Sequence, residues 1–118
     1  MSDYDELMIL RIAGIQKHDL TLSKIREIIA SNIRPFEGAL DFLRSLRSVA
    51  EVIILSDTFI EFFKVLRSML ECPVILCNAL EVENDIIQKH RMRMKHGKQD
   101  TVRVFKDLQC TVVLVGDS

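Results

Sequence analysis

Long hydrophobic runs are missing from this 118-residue chain. No apolar stretch approaches the roughly 20 residues that a membrane-spanning helix needs, so no membrane partner is expected. The acidic start lacks the basic-then-apolar pattern of a secretory leader. A charge excess is missing too. Sixteen Lys and Arg against 17 Asp and Glu leave a net charge of −1, with no global pull towards nucleic acid or anionic surfaces. Cysteine is scarce: Cys72, Cys77 and Cys110 are odd in number and lack the paired spacing of a metal site or disulfide framework. Cys77 and Cys110 lie in apolar runs and read as buried thiols, which suits a cytoplasmic location. His18, His90 and His96 have no zinc-site spacing with them and read as surface residues. Repeats, low-complexity tracts and linkers are also lacking. What remains is one domain of ordinary size, 48% hydrophobic and therefore not disordered in composition.

The informative stretch is Val52-Ile-Ile-Leu-Ser-Asp-Thr-Phe59. Its apolar half, Val52–Leu55, reads as a strand buried on both faces, and an amphipathic helix is expected behind the polar residues. In an open α/β sheet, ligands bind beyond the carboxyl ends of strands, where a helix N-terminus also favours phosphate. Ser56, Asp57 and Thr58 stand at that place. The plainer reading is a strand–helix turn in which Asp57 or Thr58 caps the helix.

Around it the chain alternates helix and strand. Tyr4, Leu7, Met8, Arg11, Ile12 and Ile15 share one helical face, with Gly14 weakening the helix and His18-Asp19 ending it. Arg11 within that stripe either snorkels to water or presents a cation for a carboxylate. Thr21 or Ser23 caps a second helix carrying Ile25, Ile28 and Ile29, closed by Ser31-Asn32. Pro35 suits the first turn of a third helix, with Phe36, Leu40, Leu43 and Leu46 inward. Phe59, Phe62, Phe63, Leu66 and Leu70 form the buried stripe of the next. Pro73–Asn78 reads as a second short buried strand. Asn84-Asp85 marks a hairpin turn between Leu80–Glu83 and Ile86–Met94. The basic run Arg91–Lys95 lacks interleaved aromatics, so a nucleic-acid partner is not expected. Gly97-Lys98 opens a last helix with Val102, Phe105 and Leu108 inward. Cys110–Val115 reads as a closing strand that ends in Gly116-Asp117-Ser118. Helices between strands predict parallel βαβ units.

A strand ending in Ser-Asp-Thr, a lysine opening a later helix and a strand ending in Gly-Asp-Ser suit phosphoryl transfer. A hydroxyl and backbone N–H groups hold phosphate oxygens, a lysine offsets their charge, and a carboxylate holds magnesium. The set resembles the haloacid dehalogenase superfamily, in its phosphoserine phosphatase branch. Arg34-Pro-Phe-Glu-Gly-Ala39, Val52–Phe59, Leu80-Glu-Val82 and Phe105-Lys106 carry the likeness. Ser-Asp-Thr-Phe, in place of Ser-Gly-Gly, is similar to the bifunctional phosphoserine phosphatase/homoserine phosphotransferase type. The resemblance implies that Ser56 binds phosphate, that Lys98 neutralises it, and that Asp117 is a ligand of Mg2+. It implies that Arg11 grips a substrate carboxylate, and that Asp57 and Thr58 contribute mainly backbone contacts. The implied partner is a small phosphorylated amino acid, and the implied intermediate a phosphoaspartate.

The departures are equally plain. The family's nucleophile and general acid/base lie in an Asp-x-Asp motif after a strand. Asp3-Tyr-Asp5 has the letters but stands at a helix start. The chain is therefore expected to be the middle of such an enzyme, inactive by itself. The expected fold is an α/β three-layer parallel sheet with a small helical cap over residues 1–32. Residues 33–118 would form the core, with a hairpin flap at about 79–96. Unpaired inner edges on Val52–Leu55 and Thr111–Val115 would leave the chain marginally stable, rearranged or self-associating, unless light scattering and melting find a robust monomer. The alternative function is a non-catalytic phosphate- or partner-binding module on the same scaffold. A receiver-like regulatory domain needs an acidic cluster at an early strand end, and none is found.

Overall fold

The computed structural model describes residues 3–93 and 97–116. Helix α1 spans Asp3–Lys17, with Asp3, Asp5 and Glu6 in its first turn and Lys17 in its last, each favourable to the helix dipole. It runs through Gly14 without interruption. Helix α2 spans Leu22–Asn32 and is capped by Thr21, whose hydroxyl oxygen accepts from the Lys24 N–H at 3.1 Å. Helix α3 spans Ala39–Arg47. Strand β1, Ile53–Phe59, leads directly into α4, Ile60–Arg67, and a short 3-10 turn, Ser68–Leu70. Strands β2, Val74–Glu83, and β3, Ile86–Arg91, form the hairpin, and α5 covers Gly97–Asp107.

The sheet order is β1-β2-β3, with β1 at an edge. β1 and β2 are parallel, whereas β2 and β3 are antiparallel. The turn uses Asn84 (φ 51°) and Asp85 (φ 65°), the pair of left-handed residues that a tight hairpin requires. Asp85 also reaches α2: its carbonyl accepts from the Leu22 N–H at 2.9 Å and its carboxylate from the Ser23 N–H at 3.0 Å. The hairpin tip therefore occupies donors at the start of α2.

Met8, Ile12, Leu22, Phe59, Leu80 and Ile87 form the buried cluster, with Tyr4, Ile15, Ile25 and Phe62 packed against it. Phe59 and Phe62 meet edge to face, with centroids 5.8 Å apart. Thus α1, α2 and the hairpin share one core. Glu61 adds polar ties: its carboxylate accepts from the Leu80 N–H at 3.0 Å and its carbonyl from Arg26 Nε at 2.8 Å.

Several expectations are corrected. The sheet is mixed, because the expected short strand 73–78 continues unbroken into the hairpin as ten-residue β2. β1 does not stop at Leu55 but carries Ser56-Asp57-Thr58 within it. Leu55 pairs with Leu76 and Phe59 with Asn78, so three residues of β1 face one of β2 and form a bulge. Helix α4 consequently takes Phe59 as N-cap, with no side-chain cap from Asp57 or Thr58. Pro35 and Phe36 precede α3, which instead starts after Gly38 at φ 86°, and Phe36 is exposed. Leu7, Ile28 and Leu108 are exposed rather than inward. Residues 110–115 form no strand, and Val113, Leu114 and Val115 face solvent. An apolar run becomes a strand only where another strand takes up its backbone hydrogen bonds. Cys77 is half-buried as expected of an inward thiol, but Cys110 is exposed, as is Cys72. No helix among the described residues is long and apolar enough to cross a membrane.

Candidate functional site

Of the predicted site residues, the β1 bulge and the start of α5 bring Asp57 and Lys98 to one cleft; Ser56 and Thr58 lie beside Asp57 in the bulge, and Arg11 on α1 is not part of the lining. Ser56 Oγ accepts from the Thr58 N–H at 3.1 Å. That bond holds the hydroxyl oxygen in place and leaves its hydrogen to donate elsewhere. It also occupies the Thr58 N–H, which sequence reasoning offered to a phosphate. The Asp57 carbonyl accepts from Tyr4 Oη at 2.8 Å and Asn78 Nδ2 at 3.2 Å. Backbone contacts at Asp57 were expected; these are made within the chain.

Asp57 and Lys98 line the same open cleft of about 770 Å³, with Gln99, Val102, Arg103, Lys106 and Leu114. That size lies within the usual range for small-molecule sites. Asp57 is the one carboxylate on its lining among the described residues, against Lys98, Arg103 and Lys106. Such a balance favours an anion. Ser56 is part of the bulge but does not line the cleft. Arg11 is exposed on α1, and its charge reaches the Tyr4 hydroxyl beside Asp57. The Tyr4 hydroxyl is pushed above its ordinary value chiefly by burial, which Asn78 and Arg11 oppose and the Asp57 and Asp5 carboxylates reinforce. It therefore stays a neutral donor to the Asp57 carbonyl. Asp117 lies outside the described residues, as does His96.

Sequence reasoning missed Tyr4, Asn78 and His90 here. His90 is no surface residue: its side chain is 10% exposed, and Nε2 lies 2.7 Å from the Asp5 carboxylate. The ring packs edge-on to Tyr4, 6.3 Å between centroids. Asn78 hides in an apolar run, and only its polarity among Leu76, Cys77 and Leu80 could have singled it out. Among the described residues no group of three or more His, Cys, Asp or Glu could hold a metal ion.

Fold and site together define an α/β chain with an anion-suited cleft where a strand bulges before its helix. No family model matches it. Over 117 residues, 98% of this chain, it is 41% identical to phosphoserine phosphatase ThrH of Pseudomonas aeruginosa, covering 57% of that protein. It is 39% identical, again over 98% of this chain, to a phosphoserine phosphatase of Pseudomonas syringae pv. tomato, covering 49% of it. The chain is thus similar to phosphoserine phosphatases over nearly its whole length, and it spans about half the length of the curated relatives it matches.

Proposed function

We propose that the whole protein is a phosphoserine phosphatase of the haloacid dehalogenase type, working through a phosphoaspartate. The observation that carries this reading is the shared cleft of Asp57 and Lys98 at the end of β1, in a chain so similar to phosphoserine phosphatases. In it, Lys98 offsets phosphate charge, the Ser56 hydroxyl donates to a phosphate oxygen, and Arg11 holds the substrate carboxylate. Asp57 and Thr58 shape the bulge beneath the phosphate. Water attacking the phosphoenzyme gives hydrolysis; the homoserine hydroxyl attacking it gives transfer, and product analysis with and without homoserine separates the two. The parallel pair β1–β2 would extend, across the free edge of β1, into a three-layer sheet carrying the nucleophile.

Magnesium, which the resemblance implies, is not fitted by the described residues alone. Asp57 stands among three cations, whereas Mg2+ prefers several oxygen ligands in octahedral order. Asp117 would have to contribute a ligand.

In the whole protein, Arg11→Ala should impair turnover of phosphoserine more than that of an aryl phosphate without a carboxylate. Equal losses on both would remove Arg11 from the site. These 118 residues alone should not release phosphate from phosphoserine, since turnover needs one carboxylate to accept the phosphoryl group and a second to protonate the leaving oxygen. Release by the purified chain that vanishes on Asp57→Asn would identify Asp57 as the nucleophile and overturn the motif assignment.

A further inference from the structure

Resting on the reading of this cleft as a phosphoserine site, we infer that Asn78 is a positioning residue. It sets the relative placement of the three segments that carry Arg11, Ser56–Thr58 and Lys98. Asn78 is 5% exposed, on a strand whose neighbours are otherwise mostly apolar. Its carboxamide is almost fully used. Nδ2 donates to Tyr4 Oη and to the Asp57 carbonyl, each at 3.2 Å. Oδ1 accepts from the Arg93 N–H at 3.0 Å.

Each partner belongs to a different part of the site. Asp57 is in the β1 bulge. Asn78 sits at the register slip itself, paired with Phe59, so it holds the bulge where the ladder has released it. Tyr4 is on α1, about two turns before Arg11 on the same helical side. Arg93 follows β3, and its guanidinium donates to Thr101 Oγ1 at 2.5 Å. Thr101 is buried on α5, one turn from Lys98. One buried amide therefore touches the bulge directly, α1 through Tyr4 and α5 through Arg93. A leucine would suit this position on hydrophobic grounds alone. A buried amide costs free energy unless its bonds are made, and a fully bonded network fixes geometry more sharply than apolar packing does.

The test uses Asn78→Leu, Asn78→Asp and Tyr4→Phe in the full chain. Two readouts are taken well below each variant's Tm: backbone amide NMR shifts, and affinity for inorganic phosphate by titration. The positioning role predicts that Asn78→Leu moves the amides of Asp57–Phe59, Arg11 and Lys98–Thr101 together and weakens phosphate binding about tenfold or more. Asn78→Asp loses both donor bonds but keeps an acceptor for the Arg93 N–H, so it should weaken phosphate binding likewise while moving the bulge and α1 more than α5. Tyr4→Phe leaves the Asn78–Asp57 bond and should move the bulge and α1 but not α5. A merely structural asparagine would lower Tm, confine the shifts to its β2 neighbours and leave phosphate affinity unchanged, which would overturn the inference. If Asn78→Leu fails to fold, Asn78→Asp and Tyr4→Phe carry the comparison for the bulge, α1 and phosphate affinity. Absence of phosphate binding by the unmutated chain would overturn the phosphatase reading of the cleft, while the amide shifts still decide the positioning role.

Discussion

Ile87 and Val113 are both β-branched residues with apolar neighbours in sequence, yet Ile87 is 0% exposed and Val113 82% exposed. Ile87 lies on β3, against which α1 packs, within the cluster of Met8, Ile12, Leu22, Phe59 and Leu80. Val113, Leu114 and Val115 run past α5 without strand pairing, and β1 ends the sheet on its far side from β2. The same contrast runs through the helices: α1 and α2 bury residues, while α3 buries none fully and leaves Phe42 exposed. The difference shows that an apolar pattern specifies a need for cover, and that cover exists only where the chain supplies a second face. The hairpin and α1 supply each other's. Among the described residues, β1's outer edge and the 111–115 run have none.

The sharpest way to break this comparison is a matched pair of truncations. Ile87→Ala should cost about 2–5 kcal/mol, because it removes a fully buried side chain and leaves a cavity. Val113→Ala should stay within about 0.5 kcal/mol, as exposed substitutions usually do. Chemical or thermal unfolding of both variants measures the gap. Similar losses would mean that the C-terminal run packs as firmly as the hairpin.

That contrast also explains what could be read from the sequence. Elements governed by local chemistry were legible: α1 and α2 with the Thr21 cap, the Asn84-Asp85 turn, and the helix opened by Gly97-Lys98. Asp57 and Lys98 line one cleft, but the sequence set Ser56 with Lys98, and only through the family resemblance. What escaped depends on distant partners. Asn78 gains its role from Tyr4, 74 residues earlier in the chain, and from a bulge that no local pattern announces. His90 looks like a surface residue of a basic strand until Asp5, 85 residues away, covers it. The run Cys110–Val115 has every local mark of a strand, but strand formation depends on a neighbour that the run itself does not contain.

A smaller effect sharpens the comparison through its thiols. Cys77 sits on β2, and burial first, then the Glu61 carboxylate, pushes its thiol above the ordinary value, with Arg93 opposing. A raised value means less thiolate at neutral pH, and the thiolate is the reactive form. Iodoacetamide at pH 7.5, followed by mass spectrometry of the peptides, should label the exposed Cys72 and Cys110 first and Cys77 last. Labelling of Cys77 as fast as Cys110 would show that β2 is no better covered than the C-terminal run.

The central claim is that the end of β1 and the start of α5 form one phosphate cradle. The most direct measurement is a titration of the isotope-labelled chain with inorganic phosphate at constant ionic strength, followed by backbone amide shifts. The account predicts saturable shifts concentrated at Ser56, Asp57 and Thr58 and at Lys98 and Gln99, lost in Lys98→Ala and retained in Val113→Ala. Shifts centred elsewhere, for example on Arg44 and Arg47 of α3, or a response that never saturates, would contradict it.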